Sequence, residues 1–251
     1  MIATITNIKR LNDRDYLYDF DCADIAQKAL PGQFVEVKVS KSFDPFLRRP
    51  FSIYGAKGNT LQLLVRMVGK GTKLMSEWRV GDQTDILGPL GNTYAWTDED
   101  AELIVVGGGI GFAPINYLIE QLLQDGKKVH LLFSPKRESE LIEHLVPGDN
   151  LKISVAGNRT EIKALLDEII SGAPEAKSIF CCGPDGLMKL VAETGIAGNI
   201  PTQLSMEAMM GCGINICGGC IIPVKDGDDF TYKKVCADGP VFSGEEVIFD
   251  E

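Results

Sequence analysis

Through its first hundred residues the chain alternates apolar and polar positions in short runs: T-I-T-N-I at 4–8, Y-L-Y-D-F at 16–20, F-V-E-V-K-V at 34–39 and L-Q-L-L-V-R at 61–66. A period of two puts apolar side chains on one face of a strand, and the Pro-Gly, Lys-Gly-Asn and Val-Gly-Asp turns separate the runs. Short antiparallel strands of this kind predict a small barrel. From Glu102 the period changes: L-I-V-V runs into Gly107-Gly108-Gly109, and Ile115, Leu118, Ile119, Leu122 and Leu123 then share one helical stripe. The unit recurs with V-H-L-L-F at 129–133, I-S-V at 153–155 before a stripe of Ile162, Leu165, Leu166 and Ile169, and S-I-F-C-C at 178–182. Strands alternating with helices predict a parallel sheet covered on both faces. After about Leu204 the pattern breaks into a Gly- and Cys-rich tail, too short to hold its shape without a metal. The expected organisation is therefore multidomain: an antiparallel β-barrel at 1–98, an α/β parallel-sheet domain at 99–203 and a small cysteine-bearing domain at 204–251.

At 251 residues the chain has room for two or three such units. Its net charge of -10 removes the electrostatic basis for binding a phosphate backbone, so nucleic acid is not an expected partner. No run of about eighteen apolar residues occurs, and the first twenty residues alternate instead of forming a signal-peptide core. A cytoplasmic location without membrane attachment is expected. Of seven cysteines, four lie between Cys212 and Cys236, the others being Cys22, Cys181 and Cys182. In a reducing compartment such crowding points to metal.

Cys212, Cys217 and Cys220 are spaced C-x4-C-x2-C, with Cys236 farther on. This is the spacing of plant-type [2Fe–2S] ligation. Two sulfide-bridged irons need four converging thiolates, and Gly211, Gly213, Gly218 and Gly219 let the loop curl and bring backbone N–H groups to the sulfurs. A structural zinc site is the alternative; it normally uses paired C-x2-C knuckles, and here Cys217 and Cys220 form the single such pair. Cys22 has no partner motif and reads as a small buried or surface residue.

Two further segments suit anions. Arg48-Arg49-Pro50-Phe51-Ser52 stands at the entry to a strand, and Arg66, followed by Met67, Val68, Gly69, Lys70, Gly71 and Thr72, precedes a candidate helix. A guanidinium binds phosphate oxygens in a fork, and a Gly-rich turn at a helix start offers amides to the same anion. In the second half, Gly107-Gly108-Gly109-Ile110-Gly111 follows a strand and opens a helix, another place for a pyrophosphate. It departs from the Rossmann fingerprint, with Phe112 where the last glycine belongs and no acid closing the second strand. Ser134, Lys136 and Arg137 follow that strand, where a ribose would be read. His130 and His144 read as strand and helix residues without catalytic roles.

Taken together, Arg49-Pro50-Phe51-Ser52, the stretch from Gly107 to Pro114 and Cys182-Gly183-Pro184 resemble the ferredoxin–NADP reductase superfamily. Its flavin barrel carries Arg-x-Tyr/Phe-Ser/Thr and its nucleotide domain G-G-G-x-G-x-A-P and C-G-P. The resemblance implies FAD in the barrel, with Arg49 on its pyrophosphate and Ser52 near the reactive nitrogen. It further implies that Arg66, Met67, Val68, Gly71 and Thr72 touch FAD, and that Gly88-Pro89-Leu90-Gly91 close the barrel toward the next domain. NAD(H) would lie on Gly107, Gly108, Gly109, Gly111, Gly183 and Pro184, with Cys182 at the nicotinamide. Ser52 and Cys182 are thus the implied catalytic pair.

The order of barrel, nucleotide domain and C-terminal cluster is similar to that of the electron-transfer subunits of type B dihydroorotate dehydrogenase, as are Ser205-Met206-Glu207 and the stretch from Val235 to Phe242. Asn215 replaces the Gly usual in that family, and Asn best tolerates the same left-handed backbone. This resemblance implies an FMN-containing catalytic subunit as partner, in a hetero-oligomer, a heterotetramer by family likeness. Electrons would pass from FMN through the cluster to FAD and then as hydride to NAD+. A one-electron centre and a two-electron acceptor need a flavin between them. Two other readings are a diaphorase-type subunit of a hydrogenase or ferredoxin-linked transhydrogenase, and a zinc-stabilised nucleotide-sensing binding module.

Overall fold

The alternating runs of the first hundred residues do form strands, joined by two whose pattern is less regular. They are β1 (Ile2–Arg10), β2 (Asp15–Asp21), β3 (Phe34–Val37), β4 (Arg49–Lys57), β5 (Thr60–Arg66) and β6 (Gln83–Leu90), closed in the order β1-β2-β5-β4-β3-β6. The structure, a computed structural model, describes residues 1–135, 139–174 and 176–249. Inward-facing Tyr18, Phe20, Val35, Val37, Ile53, Leu63 and Val65 fill the barrel, each large aliphatic contributing about 1.5–3 kcal/mol by leaving water. Two short helices cover its ends, α1 (Ala23–Ala26) and α2 (Lys70–Met75). The Tyr18 hydroxyl donates to the Met75 carbonyl at 2.9 Å and ties α2 to the core.

The second sheet runs in the order β14-β11-β10-β7-β8-β9. Its parallel strands are β7 (Glu102–Gly108), β8 (Lys128–Ser134), β9 (Leu151–Val155), β10 (Ala176–Cys182) and β11 (Thr202–Ser205), connected through α3 (Phe112–Gln124), α4 (Arg159–Gly172) and α5 (Asp185–Gly198). No helix among the described residues is long and apolar enough to cross a membrane. The face of α3 is shared between the two units. Ile115, Leu118, Ile119 and Leu122 pack on the sheet with Tyr54 of β4 in the same cluster, while Tyr117 donates to the Ala29 carbonyl at 2.9 Å and Asn116 to the Tyr54 carbonyl at 3.1 Å.

His144 departs from its expected helix. It lies in a turn after a short 3-10 segment, Ser139–Ile142, and its Nε2 meets Asn116 Oδ1 at 2.7 Å and the Tyr54 hydroxyl at 3.3 Å. The four residues 143–146 contain no repeat long enough to continue the helix, and the imidazole instead joins barrel to sheet. His130 sits in β8 as expected, 2.6 Å from Glu102.

The tail is woven into both units. A hairpin, β12 (Ile221–Asp226) with β13 (Asp229–Lys234), is followed by β14 (Val241–Ser243), which pairs antiparallel with β11 at the edge of the nucleotide sheet. Asn92, just past β6, donates through Nδ2 to the carbonyls of Asp238 (3.1 Å) and Val241 (2.8 Å) and accepts from the Val241 amide at 2.9 Å.

One buried ion pair fixes the barrel strand that ends at the site. Asp15 and Arg66 are register partners on β2 and β5, and Arg66 Nε and Nη2 donate to the two Asp15 oxygens at 2.7 and 2.9 Å. Burial alone would raise the Asp15 carboxyl, but hydrogen bonds from Arg66 and Asn12 and the charges of Arg66 and Arg14 outweigh it and hold it below the usual carboxylate range. A group depressed on folding contributes stability that is present above its unfolded value, about pH 4, and lost as pH falls. We expect Asp15→Ala to lower unfolding stability in urea at neutral pH by about 3 kcal/mol, and its stability to depend less steeply on pH below about 4 than that of the parent.

Candidate functional site

Pleating of β4 sends Phe51 and Ile53 toward the barrel core and leaves Pro50 and Ser52 on the outer face. The Ser52 hydroxyl has no hydrogen-bond partner among the described residues. Arg49 is braced by the Leu47 and Arg48 carbonyls at 2.7 and 3.0 Å and lies over α2, so close that a Cβ on Gly71 would stand 3.1 Å from its Nε. The Thr72 hydroxyl accepts from the Val68 and Gly69 amides at 2.9 and 3.1 Å, which shapes the turn. The first amides of α2 have no acceptor within the helix. A guanidinium and helix-start amides thus converge, a cradle suited to a pyrophosphate. Arg66 is held by Asp15, Met67 packs against the barrel core and Val68 is exposed.

The glycine turn after β7 and the Cys182-Gly183-Pro184 turn after β10 sit side by side, because β7 and β10 are neighbours in the sheet. They are packed backbone to backbone. A Cβ on Gly111 would stand 2.7 Å from the Cys182 carbonyl, and one on Gly183 would stand 3.0 Å from the Gly108 Cα. At this point the strand order reverses, from β7 toward β8 on one side and toward β10 on the other, which is where open α/β sheets bind ligands. A cavity of about 560 Å³ opens there, lined by Gly108, Gly109 and Gly111 from the first turn and by Gly183 and Pro184 from the second, with Arg66 reaching it from the barrel. Gly107 is buried within β7 and does not line it. Cys182 is 1% exposed, and burial, then the charges of Glu207 and Cys181, push its thiol far up, so it stays protonated.

At the far end, Ser134 and the residues from Gly157 to Arg159 line the wall; Lys136 and Arg137, expected there, lie outside the described residues. The 157–159 stretch carries no strong sequence signal and was not among the expected contacts. Glu207 was likewise not expected here. It lines the cavity from the segment leading into the cysteine loop, and desolvation and then Asp185 push its carboxyl up.

That loop carries its four thiols in two settings: Cys212 and Cys217 are partly exposed, whereas Cys220 and Cys236 are 2% and 5% exposed, packed with Ile222 and Phe242. Backbone amides point at the sulfurs: Cys217 and Ile214 donate to Cys212 at 3.3 and 3.5 Å, and Asn215 donates to Cys236 at 3.3 Å. The amides draw the Cys212 thiol down to about 6, while burial and the Cys220 side chain push Cys236 up to about 11. Asn215 adopts φ +67°, as its sequence position predicts, and Lys234 Nζ clamps its carbonyl and side-chain oxygens at 3.2 and 3.0 Å. Cys22 is buried, apart from any of these groups.

The left-handed conformation of Asn215 yields a direct test. Asn215→Gly should keep the full metal content of the chain, while Asn215→Ala, strained by about 1 kcal/mol, should release metal faster to a chelator.

Residues 207–248 match the family model for the iron–sulfur cluster binding domain of dihydroorotate dehydrogenase B. The whole chain is similar to the electron transfer subunit of dihydroorotate dehydrogenase B (NAD(+)) of Caldanaerobacter subterraneus subsp. tengcongensis, at 32% identity over 99% of this chain and 98% of that one. The Geobacillus kaustophilus subunit of the same name is 34% identical, over 98% and 97%. Among solved structures, that of an NADH-dependent reduced ferredoxin-NADP oxidoreductase superposes with a TM-score of 0.78 at 23% identity, over 99% of this chain and 90% of that one. A ferredoxin NADP+ reductase from Neisseria gonorrhoeae, solved with FAD and NADP, has a TM-score of 0.61 at 19% identity, over 78% and 90%. These two share its fold of barrel and nucleotide sheet. With four thiols, glycine turns and near full-length likeness in agreement, the chain belongs to the family of dihydroorotate dehydrogenase B electron transfer subunits.

Proposed function

We propose that this chain carries electrons from the FMN-containing catalytic subunit of a dihydroorotate dehydrogenase, through a [2Fe–2S] cluster and FAD, to NAD+ in pyrimidine biosynthesis. The observation that carries this reading is the position of the cysteine loop. Gly213 lies against β3, next to the strand that bears Arg49-Pro50-Phe51-Ser52, while Glu207 at the root of the loop lines the nucleotide cavity. The three candidate binding places thus adjoin, which supports a relay between them.

The residues fit the groups. Cys212, Cys217, Cys220 and Cys236 would hold the two irons, as the C-x4-C-x2-C spacing with one further cysteine suits. Arg49, Gly71 and Thr72 would take the FAD pyrophosphate, with Pro50, Phe51, Ser52, Arg66, Met67 and Val68 around the rest of the flavin. NAD(H) would occupy the cavity on Gly108, Gly109, Gly111, Gly183 and Pro184, supported from below by Gly107. Bound FAD exchanges electrons singly with a cluster and pairwise, as hydride, with nicotinamide. The chain's own contribution is placement and the exclusion of water. Cys182, protonated and buried at the foot of the cavity, offers a neutral surface where hydride would pass, and Ser52 supplies an uncommitted hydroxyl on the flavin face.

The relatives' names imply a catalytic partner subunit. Around the partly exposed cysteine pair stand Met209 at 90% and Ile216 at 79% exposure, with Ile214 beside them. Apolar side chains this exposed suit a partner that must approach the cluster closely. We assign this surface to the FMN subunit, in a heterotetramer, and place the assembly in the cytoplasm, whose reducing conditions suit cysteines that form no disulfide.

Anaerobically purified protein should show flavin and broad iron–sulfur absorption that bleaches with NADH, with about two irons and two sulfides per chain. Zinc without flavin would overturn the reading. Ile216→Asp should weaken binding to the catalytic subunit at least tenfold, about 1.4 kcal/mol or more, by sedimentation or surface plasmon resonance. Iron and flavin content should not change.

A further inference from the structure

Phe43 and Phe46 lie in the connection between β3 and β4, 86% and 73% exposed, and neither belongs to the barrel core. Aromatic rings are among the side chains that gain most by leaving water, so two of them on display beside a candidate site call for an occupant. They face each other, with ring centroids 6.4 Å apart and planes 21° from parallel. The turn that presents them is held by its own bonds. The Ser42 hydroxyl donates to the Asp44 carbonyl at 3.0 Å and accepts from the Asp44 amide at 3.2 Å, and the Ser40 hydroxyl accepts from the Ser42 amide at 3.1 Å.

Both rings adjoin the candidate phosphate cradle. Val37 and Arg49 are the last register pair of β3 and β4, so residues 38–48 leave the barrel at the Arg49 end of the strand, away from Ser52. Leu47, next to Phe46, gives its carbonyl to the Arg49 guanidinium at 2.7 Å. Asp44, next to Phe43, accepts from the ammonium of Lys70, the first residue of α2. Each ring is thus one residue away from a group bonded to the cradle. From Ser52 back to Arg49 is three residues of strand, about 10 Å, and the ring pair follows beyond. Hydroxyl, guanidinium and aromatic faces succeed one another in the order in which FAD carries its flavin, pyrophosphate and adenine.

We propose that Phe43 and Phe46 are specificity-determining residues that stack on the adenine of FAD, so that this chain takes the dinucleotide in preference to FMN, which ends at its single phosphate. This rests on the reading given above, in which Arg49 takes the FAD pyrophosphate. An adenine offers a flat, uncharged π-face, and such faces stack on aromatic side chains without hydrogen bonds in register. The rings discriminate where the phosphate grip does not: Arg49 meets phosphate in either flavin nucleotide, whereas FAD alone reaches the rings. In an assembly with FMN on one subunit and FAD on the other, that selection keeps each flavin at its own site.

The test is flavin binding to the full-length, cluster-loaded chain freed of its flavin, titrated with FAD and with FMN and followed by quenching of flavin fluorescence. Phe43→Ser and Phe46→Ser each remove a ring, and Phe43→Tyr and Phe46→Tyr keep it. Each Ser variant should raise the Kd for FAD about tenfold, about 1.4 kcal/mol, and leave the Kd for FMN as in the parent. The Tyr variants should bind FAD as the parent does. Ser variants that hold FAD as tightly as the parent would sink the proposal, and if they lose the catalytic subunit instead, the rings are a docking surface. Equal weakening of FAD and FMN would also overturn it, because the loop would then act on the phosphate grip and not on the adenine. A parent chain that takes up no FAD removes the relay reading and this inference together, whereas a parent that takes it up, with unmoved Ser variants, removes the inference alone.

Discussion

The arrangement of the three sites depends on where the chain goes after its last cysteine. β14 adds antiparallel to the edge of the nucleotide sheet, and the residues just before it are gripped by Asn92 at the end of the barrel. Two anchors on two units leave the cysteine loop little freedom. It has to cross the seam between them, which brings Gly213 onto β3 and Glu207 to the wall of the nucleotide cavity. The buried cysteines join the same apolar cluster as Ile104, Val106 and Leu204 of the sheet. A segment this short would bury little surface alone, so the sheet supplies the core that the tail lacks.

Close approach by glycine is the second constraint, at two places. Gly108, Gly111 and Gly183 let the ends of β7 and β10 touch through their backbones, which sets the floor of the cavity at the point of strand reversal. Any side chain at Gly111 would strike the Cys182 carbonyl, so the glycine is required by packing whether or not a nucleotide is bound. The same holds for Gly213, where a Cβ would strike the buried Glu36 side chain of β3. Function and packing here make one demand, because an anion or a cluster that must meet bare backbone needs a surface with no Cβ in the way.

Much of this could be read from the chain. The change of period at Glu102 separates barrel from parallel sheet, and the C-x4-C-x2-C spacing picks out Cys212, Cys217 and Cys220, because both are local patterns, with Cys236 farther on. Asn215 was legible for the same reason: one residue type fits one backbone region. What escaped is set by distance in sequence. β6 carries Gly88-Pro89, which breaks its alternation, and closing the barrel onto β1 and β3 is a long-range pairing with no local mark. His144 looks like a helical residue until Tyr54 and Asn116 arrive from other elements. Arg66 reads as a free anion-binding group, and only the register of β2 on β5 reveals Asp15 against it. Glu36 looks like one more polar position in an alternating strand, and its burial appears only when a loop from nearly 180 residues later covers it.

The four thiols of the cysteine loop differ in their surroundings. Cys212 and Cys217 are partly exposed and receive the amides of Ile214 and Cys217, which stabilise sulfur in its charged form. Cys220 and Cys236 are buried against the sheet, where charge is less well solvated. Asn92, the pairing of β14 and the Lys234 clamp on Asn215 tie the loop at its middle and its end, so its thiols are held at one place against both units.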